Sequence, residues 1–484
     1  MDFLNNLNRW ELKRFEEFLM SPYFNTYKTM VVLFQYLKTL HPFIKHTDIT
    51  PSKISMIVYS EENVNSLKIR KLWSDFKKLL ETFLYHEFIA TGPLMFNAEY
   101  SQYLDEREMT DLSESNLKEA ELILDNSEAR DEDYYLKKYQ LSLISTAPDI
   151  YSSIDYDYKI FNEDLKNIDY LNVSMKLRSL VNVLIIKHEN NKVHIQGNVF
   201  EKEVIKFVES RKNDLVKNQP YIYFLYLAYK MFSTLNDKYY NLLVKYFNTH
   251  KDKLMGKTLC SFHVYQYYYL NFKLKNYSKN SAFYHKKLYN FYIQIFNSDY
   301  SYKSFIFRGL IQNSFYISVL TTFLNEGDND NAFMFLIKYV NYQHENIRKD
   351  TFNYSMGLYH YNINDLTTAL TYFNEISDKS ATFKYYRKAA LMRLYFELGD
   401  MVSLNNEMTN MYQFGYRNKE GGKFYKQNIM IYLKYFRLLI RLKSFKSSGK
   451  KNLKFEKNIL KKQIENEGNL LQQKSWFIKM VNSI

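Results

Sequence analysis

Residues 353–373 read NYSMGLYHYNINDLTTALTYF, and the turn at the centre of this stretch decides the predicted fold. The turn is the pair Asn364-Asp365. Asn tolerates the left-handed backbone conformation in which many helices end, and Asp is a favoured cap at the start of a helix. The stretch is therefore predicted to form two helices joined by a tight turn.

The same turn occurs three times in the C-terminal half of the chain. The aligned copies are FLNEGD at 323–328, HYNIND at 360–365 and YFELGD at 395–400, followed by Ala332, Ala369 and Leu404. Their Gly-Asp or Asn-Asp pairs lie 37 and 35 residues apart. A period of this length is typical of an array in which one pair of helices stacks on the next.

The central copy resembles the tetratricopeptide repeat, a helix-turn-helix unit of about 34 residues. Gly357, Ala369 and Phe373 lie at the family's small, small and aromatic positions. The resemblance implies that the two small residues let paired helices approach closely and that Phe373 fills the interface with the next repeat. Asn353 and His360 depart from the family, which prefers an aromatic residue at the first position and Tyr at the second.

The resemblance extends from about Ser314 to Met411. In the third copy, Leu404 and Met408 replace the family's Ala and aromatic residue. A weaker echo at 232–237, FSTLND, suggests that irregular repeats begin near residue 134. Repeats of this kind serve as scaffolds in unrelated processes, so the resemblance predicts a fold and leaves the ligand open.

Composition favours helices along the whole chain. The 484 residues include only 12 Gly and 6 Pro, and 46% of them are hydrophobic, which supports a large core and excludes a disordered chain. The predicted fold class is all-α, with an N-terminal helical unit, an irregular tetratricopeptide-like solenoid and a basic C-terminal helical cap. The predicted segments are 1–92 (N-terminal unit), 93–133 (acidic connector), 134–445 (repeats) and 446–484 (cap).

The N-terminal unit carries clear helix boundaries. Asn8 and Glu11 have the spacing of a capping box, and Pro51 stands where the first residue of a helix is expected. A long amphipathic helix is predicted over 66–89, and Thr91-Gly92-Pro93 closes the unit.

The single cysteine, Cys260, excludes an intramolecular disulfide and a multi-cysteine metal site. It fits a reducing compartment, so the predicted location is the cytoplasm. The N-terminal sequence MDFLNNLNRWELKRFEEF is too charged for a signal peptide, and no segment is predicted to insert into a membrane.

Charge is distributed unevenly, although the net value of +14 is modest for this length. Residues 99–133 carry 13 acidic and 3 basic residues, whereas residues 417–462 carry 15 basic and 2 acidic ones. Three interpretations stay open: two solvated helical faces, a C-terminal patch for nucleic acid or an acidic partner, and an intramolecular latch between the two segments.

Sequence motifs of common enzymes are missing. The chain has no phosphate-binding GxxxxGK[ST], no GxSxG, no GxGxxG and no HExxH. Cys260 and His263 lie one helical turn apart, which would suit a thiol nucleophile, but an aromatic-rich helix around them favours Cys260 as a small core residue. The chain is therefore predicted to be a non-enzyme without cofactor or metal.

The predicted function is a scaffold or adaptor that binds a protein or peptide in its concave face. The resemblance implies that the first helix of each pair lines this face, which selects Tyr354, Tyr361, Asn362, Tyr386, Arg393 and Glu397. The alternative is a nucleic-acid-binding protein that uses basic C-terminal residues, namely Arg437, Arg441, Lys443, Lys446, Lys450, Lys451, Lys454, Lys457, Lys461 and Lys462. The sequence does not indicate an oligomeric state.

The C-terminal segment is predicted to fold back as a cap, because ten apolar residues continue after Ser447-Ser448-Gly449. The last repeat of an array would otherwise leave its apolar end in water. Trp476 and Phe477 are expected to be buried against the preceding helix pair, with the lysines facing outward.

Overall fold

A computed structural model describes the chain except for residues 1, 6, 43, 45, 63–64, 92, 128–129, 153–157, 190–199, 255, 277–280, 299, 378–379, 418–421, 449–451, 468–470 and 472. The fold is all-α, as predicted. Within the described ranges, strands are limited to an antiparallel pair, β1 (Ile306–Phe307) and β2 (Leu310–Ile311). The chain divides into two compact units, Met1–Asn172 and Val173–Ile484.

The first unit consists of successive helices, with one short 3-10 helix at His46–Asp48. They are α1 (Asp2–Asn5), α2 (Arg9–Met20), α3 (Lys28–Leu40), α4 (Pro51–Tyr59), α5 (Ser66–Thr91), α6 (Pro93–Asp105), α7 (Thr110–Asp125) and α8 (Glu132–Ser152). The next helix, α9 (Tyr158–Glu189), contains the division between the units. The predicted boundaries at 92, 133 and 445 stay predictions.

The N-terminal helices begin where the sequence predicts and share one aromatic core. Asn8 accepts the backbone N–H of Glu11 at 2.9 Å, and the Glu11 carboxylate accepts the backbone N–H of Asn8 at 2.7 Å, so the capping box is confirmed. The ring of Phe15 packs edge-on against Phe34 and Phe76 at 5.1 and 5.8 Å. These contacts join α2, α3 and α5.

The second unit continues the run of helices. They are α10 (Glu201–Ser210), α11 (Lys212–Asn218), α12 (Pro220–Thr234), α13 (Asp237–Thr249), α14 (Lys251–Leu254), α15 (Lys257–Asn276), α16 (Ser281–Phe296), α17 (Asn313–Asn325), α18 (Asn329–Tyr339), α19 (Glu345–Asn362), α20 (Leu366–Asn374), α21 (Ala381–Leu398), α22 (Met401–Arg417), α23 (Gly422–Ser447), α24 (Leu453–Asn466) and α25 (Lys474–Ser483). Short 3-10 helices occupy Ser301–Phe305 and Val340–Tyr342.

Helices of the second unit pack in sequence-adjacent pairs. Helix α12 packs against α13, α15 against α16, α17 against α18, α19 against α20 and α21 against α22. The first helix of a pair also contacts the pair before it, since α19 touches α17 and α18, and α21 touches α19 and α20. This arrangement is consistent with a helical repeat.

The three aligned turns share one backbone geometry. The left-handed residue has a φ of +78° at Gly327, +64° at Asn364 and +76° at Gly399. The N–H of the following Asp reaches back to a carbonyl of the preceding helix, at distances of 3.0 Å (Phe323), 2.9 Å (His360) and 3.0 Å (Tyr395). These are Schellman C-caps, as expected for a left-handed residue at that position.

The aspartates of these turns also cap the helices that follow. Asp328, Asp365 and Asp400 each accept the backbone N–H three residues later, at 3.2, 3.2 and 3.0 Å. The predicted start of the second helix is therefore confirmed in all three copies.

Gly357 marks a close approach between α19 and α20, as the resemblance implies. A Cβ on Gly357 would lie 2.4 Å from Cε1 of Phe373. The ring of Phe373 also packs against Tyr354, with centroids 6.0 Å apart. Both contacts lie within one helix pair, so Phe373 fills the space between α19 and α20. The resemblance implied only a contact between Phe373 and the next repeat.

The weaker echo at 232–237 folds with a different register. Leu235 is the left-handed residue, and Asn236 caps α13 by accepting the N–H of Lys238 at 2.9 Å. Asp237, which aligns with the capping aspartates, instead accepts the hydroxyls of Tyr269 and Tyr284 at 2.6 and 2.7 Å.

The C-terminal segment folds back, as predicted. Helix α25 packs on α23 and α24, and Trp476 and Phe477 are buried. Phe477 contacts the rings of Tyr432 and Phe436 on α23 at 5.4 and 5.2 Å. The prediction that Cys260 is a core residue is wrong, because its side chain faces solvent at the exposed edge of α15.

Candidate functional site

Five of the six predicted face residues form one connected group on α19 and α21, which we call the α19–α21 cluster: Tyr354, Tyr361, Tyr386, Arg393 and Glu397. Tyr354 stacks on Tyr386 with ring centroids 5.0 Å apart. The Arg393 guanidinium lies 5.3 Å from the ring of Tyr361. The Tyr361 hydroxyl donates a short hydrogen bond to the Glu397 carboxylate. The helices meet because α19 and α21 are the first members of consecutive pairs.

Asn362 lies apart from this cluster. Its side chain is exposed and donates to Asn329 Oδ1 at 2.9 Å, which joins the end of α19 to the start of α18. That contact gives Asn362 a role in holding neighbouring pairs together.

Helix α25 covers the cluster with a tryptophan. The indole N–H of Trp476 donates to Tyr361 Oη at 2.9 Å and to Glu397 Oε1 at 2.6 Å. The indole ring stacks on Phe436 at 5.3 Å and meets Phe396 edge-on at 5.9 Å. One oxygen of the Glu397 carboxylate thus accepts hydrogen bonds from both the Tyr361 hydroxyl and the indole N–H. The apolar part of the indole packs against the rings of Phe396 and Phe436.

Arg393 is the unusual member of the cluster. Its side chain is only 7% exposed, and its Nε is buried without a hydrogen-bond acceptor among the described residues. Arg393 forms no ion pair with any described residue, although Glu397 lies one helical turn away on α21. The guanidinium is surrounded by tyrosines. Burial raises the pKa of Tyr354 to about 12, while the charge of Arg393 acts in the opposite direction.

The alternative, basic set of residues divides into two groups. Lys443, Lys446 and Lys457 reach backbone carbonyls at helix ends, at 3.5 Å (Phe396), 3.5 Å (Ser483) and 3.4 Å (Asn482). A cation near the C-terminal end of a helix stabilises it, so these lysines support α21 and α25. Lys450 and Lys451 lie outside the described residues.

The remaining basic candidates include two arginines on one face of α23. Arg437 and Arg441 are exposed and line a groove of about 490 Å³ together with Asn405, Thr409 and Tyr412 of α22. Lys454 and Lys462 are exposed on α24, and Lys461 is half-buried there.

Cys260 and His263 do not form a nucleophilic pair. His263 is buried, its Nδ1 lies 2.9 Å from Ser304 Oγ, and burial lowers the pKa of His263 to about 4. Elsewhere in the described residues, no group of three His, Cys, Asp or Glu side chains is placed to hold a metal ion. No described helix has the length and apolarity needed to cross a bilayer.

Comparison with protein-family models, with curated proteins and with solved structures gives no match of any of the three kinds.

The sequence did not predict that the C-terminal helix meets the α19–α21 cluster. Trp476 is buried against Phe436, as the sequence predicts, but its N–H also reaches Tyr361, 115 residues earlier. Tyr432 and Phe436 of α23 were likewise missed as part of this face. The sequence contains only a partial indication of this contact. Helix α25 carries one of the chain's 3 tryptophans, but no spacing rule links it to α19.

Proposed function

We propose that this chain is a non-enzymatic, cytoplasmic scaffold or adaptor, a tetratricopeptide-like solenoid that binds a helix of a protein partner. The binding surface would be the concave face formed by the first helices α19, α21 and α23. The main support is the way α25 docks there, with a buried aromatic side chain and a hydrogen bond to a carboxylate. A face that holds one amphipathic helix in this way has the features of helix-in-groove recognition.

Affinity purification with the full chain as bait tests this proposal. Trp476→Ala loosens α25 and should increase capture of a partner, because the face becomes accessible. Phe307→Ala is the matched control, since Phe307 is a 74% exposed aromatic residue at the hairpin of β1 and β2. Alanine variants of Tyr354 and Arg393 are unsuitable, because both side chains are buried and their loss would disturb the fold.

The decisive outcome is a protein whose capture rises with Trp476→Ala, stays unchanged with Phe307→Ala and resists nuclease. Equal capture by all three baits would contradict binding at this face.

The alternative function, nucleic-acid binding, has its own support in the exposed pair Arg437 and Arg441. Two arginines one turn apart along a groove could contact successive phosphates. Binding to duplex DNA would then weaken with salt, and Arg437→Gln with Arg441→Gln should reduce the salt slope by about 0.9 per lost contact. Lys212→Gln with Lys217→Gln makes the same charge change on α11 and serves as the control. An unchanged slope in the arginine variant would contradict this alternative.

A further inference from the structure

The α19–α21 cluster is only partly satisfied by the helix that covers it. Helix α25 reads KSWFIKMVNS and contains no acidic residue. It supplies an apolar surface and the indole donor for Glu397, but it offers nothing to Arg393, whose buried Nε has no acceptor among the described residues. A buried guanidinium N–H without an acceptor carries an uncompensated desolvation cost.

The missing group has the chemistry of a carboxylate. A guanidinium pairs with a carboxylate through two parallel hydrogen bonds, and this geometry strengthens and orients the contact. A phosphate would also suit Arg393 alone. Glu397 lies one turn away, however, and already carries a negative charge within the cluster, so a group of single charge fits better than a phosphate dianion.

We propose that the partner of this face is an amphipathic helix that carries both an indole and a neighbouring carboxylate, and that α25 is a resident substitute for it. The inference rests on the proposed function and adds the chemistry of the partner. The indole takes the place of Trp476 against Tyr361 and Glu397, and the carboxylate pairs with Arg393. Helix α25 occupies the face until a segment with both groups displaces it.

The resident helix sets a threshold for the partner. Because α25 is tethered to the same chain, its effective concentration at the face is in the millimolar range. A free helix that only reproduces its contacts cannot compete well. A helix that also pairs with Arg393 gains an interaction that α25 lacks, and this gain gives the face its selectivity.

Fluorescence anisotropy on the full chain tests the proposal. The probes are a labelled peptide of residues 471–484 and variants of it, each with one Glu in place of a residue between 473 and 481 other than Trp476. The protein carries Trp476→Ala to open the face, and Trp476→Phe is a milder variant that removes the N–H and keeps most of the apolar contact. We expect at least one Glu peptide to bind about tenfold more tightly than the parent peptide.

The matched control is the same protein with Arg393→Met, which keeps a long side chain and removes the charge. Met fills most of the buried space that Ala would leave empty and removes the buried charge, so this variant should stay folded. In this variant the tenfold ratio between the affinities of the Glu peptide and the parent peptide should fall to about one.

Other outcomes overturn the proposal. Equal affinities for parent and Glu peptides, or a gain that persists with Arg393→Met, would rule out the carboxylate pair while leaving helix binding at the face intact. A phosphoserine peptide that binds more tightly than every Glu peptide would assign the face to a phosphate. Binding of no peptide would contradict the proposed function as well. A concentration-dependent dimer of the full chain that Trp476→Ala abolishes would make a second copy the occupant.

Discussion

Gly357 lies where the ring of Phe373 leaves no space for a side chain. We expect Gly357→Ala to lower the free energy of unfolding by about 1–3 kcal/mol, because a new Cβ would sit 2.4 Å from the ring and the two helices would have to separate. Urea denaturation measures the change. Gly415→Ala is the matched control and should cost less, since its Cβ would lie 3.0 Å from Ile429 Cγ2, a milder overlap than 2.4 Å.

The Gly357 effect should depend on its neighbour. In a Phe373→Leu background the smaller side chain makes room, and the cost of Gly357→Ala should shrink. An undiminished cost would mean that the loss arises from the backbone of α19.

His263 should make the stability of the protein depend on pH in a definite window. Burial lowers its pKa to about 4 in the folded state, against about 6.5 in an unfolded chain. Below about pH 6.5 the unfolded chain therefore takes up a proton that the folded protein does not, and the free energy of unfolding falls as the pH drops toward 4 by up to about 3 kcal/mol.

The measurement for His263 is the difference between wild type and His263→Gln across pH 4 to 7. The variant lacks this proton linkage, so the wild type should lose more stability than the variant as the pH falls. Parallel stability curves would contradict the assignment of a neutral, buried imidazole.

At the scale of the element, the repeated turn is the best-defined device in the second unit. Asp365→Ala should lower the free energy of unfolding, because the first turn of α20 loses the acceptor for the Thr368 N–H. Asp330→Ala is the control, since Asp330 lies exposed in the first turn of α18 and is not its N-cap. Thermal denaturation should show a clear loss for the first variant and a small one for the second.

These turns were predictable because their determinants are local. A left-handed Gly or Asn followed by a capping Asp specifies a helix end within a few residues, and the same holds for the capping box of α2. The local sequence pattern gave a wrong prediction where another contact competes for the capping side chain. Asp237 aligns with the caps, but the hydroxyls of Tyr269 and Tyr284 take its carboxylate and Asn236 caps α13. Cys260 lies on an aromatic-rich helix yet faces outward. The prediction failed because a short, aromatic-rich stretch does not indicate which side of the helix is buried.

At the scale of the whole molecule, the all-α fold could be predicted from the composition and the repeat period. The candidate site could be predicted only in part. The residues of the α19–α21 cluster were selected through the resemblance to the tetratricopeptide repeat, which implies that the first helix of each pair lines the binding face. The packing of Trp476 over this cluster was not predicted, since the contact between Trp476 and Tyr361 spans 115 residues. No local rule reports a contact of that length, and neither the burial of Arg393 nor its missing acceptor can be read from the sequence.

Removal of the C-terminal segment after residue 446 should expose the apolar face that α24 and α25 cover. Tyr432, Phe436 and Leu439 are each at most 1% exposed in the full chain. We expect the shortened protein to bind a hydrophobic dye and to aggregate, as measured by dye fluorescence and light scattering. A soluble shortened protein of unchanged stability would show that the segment is a detachable arm.

The contact between Trp476 and Tyr361 also has a mechanical consequence. An array of stacked pairs that is pulled from its ends is expected to unravel pair by pair. Here part of the tension would pass from Tyr361 directly to Trp476, so the residues between them would carry less load until the indole contact breaks. Its rupture would return the full load to the helix pairs between them, which would then unravel one after another and release up to roughly 400 Å of extended chain in total. The helix that covers the face would thus act under force as a latch with a large hidden length behind it.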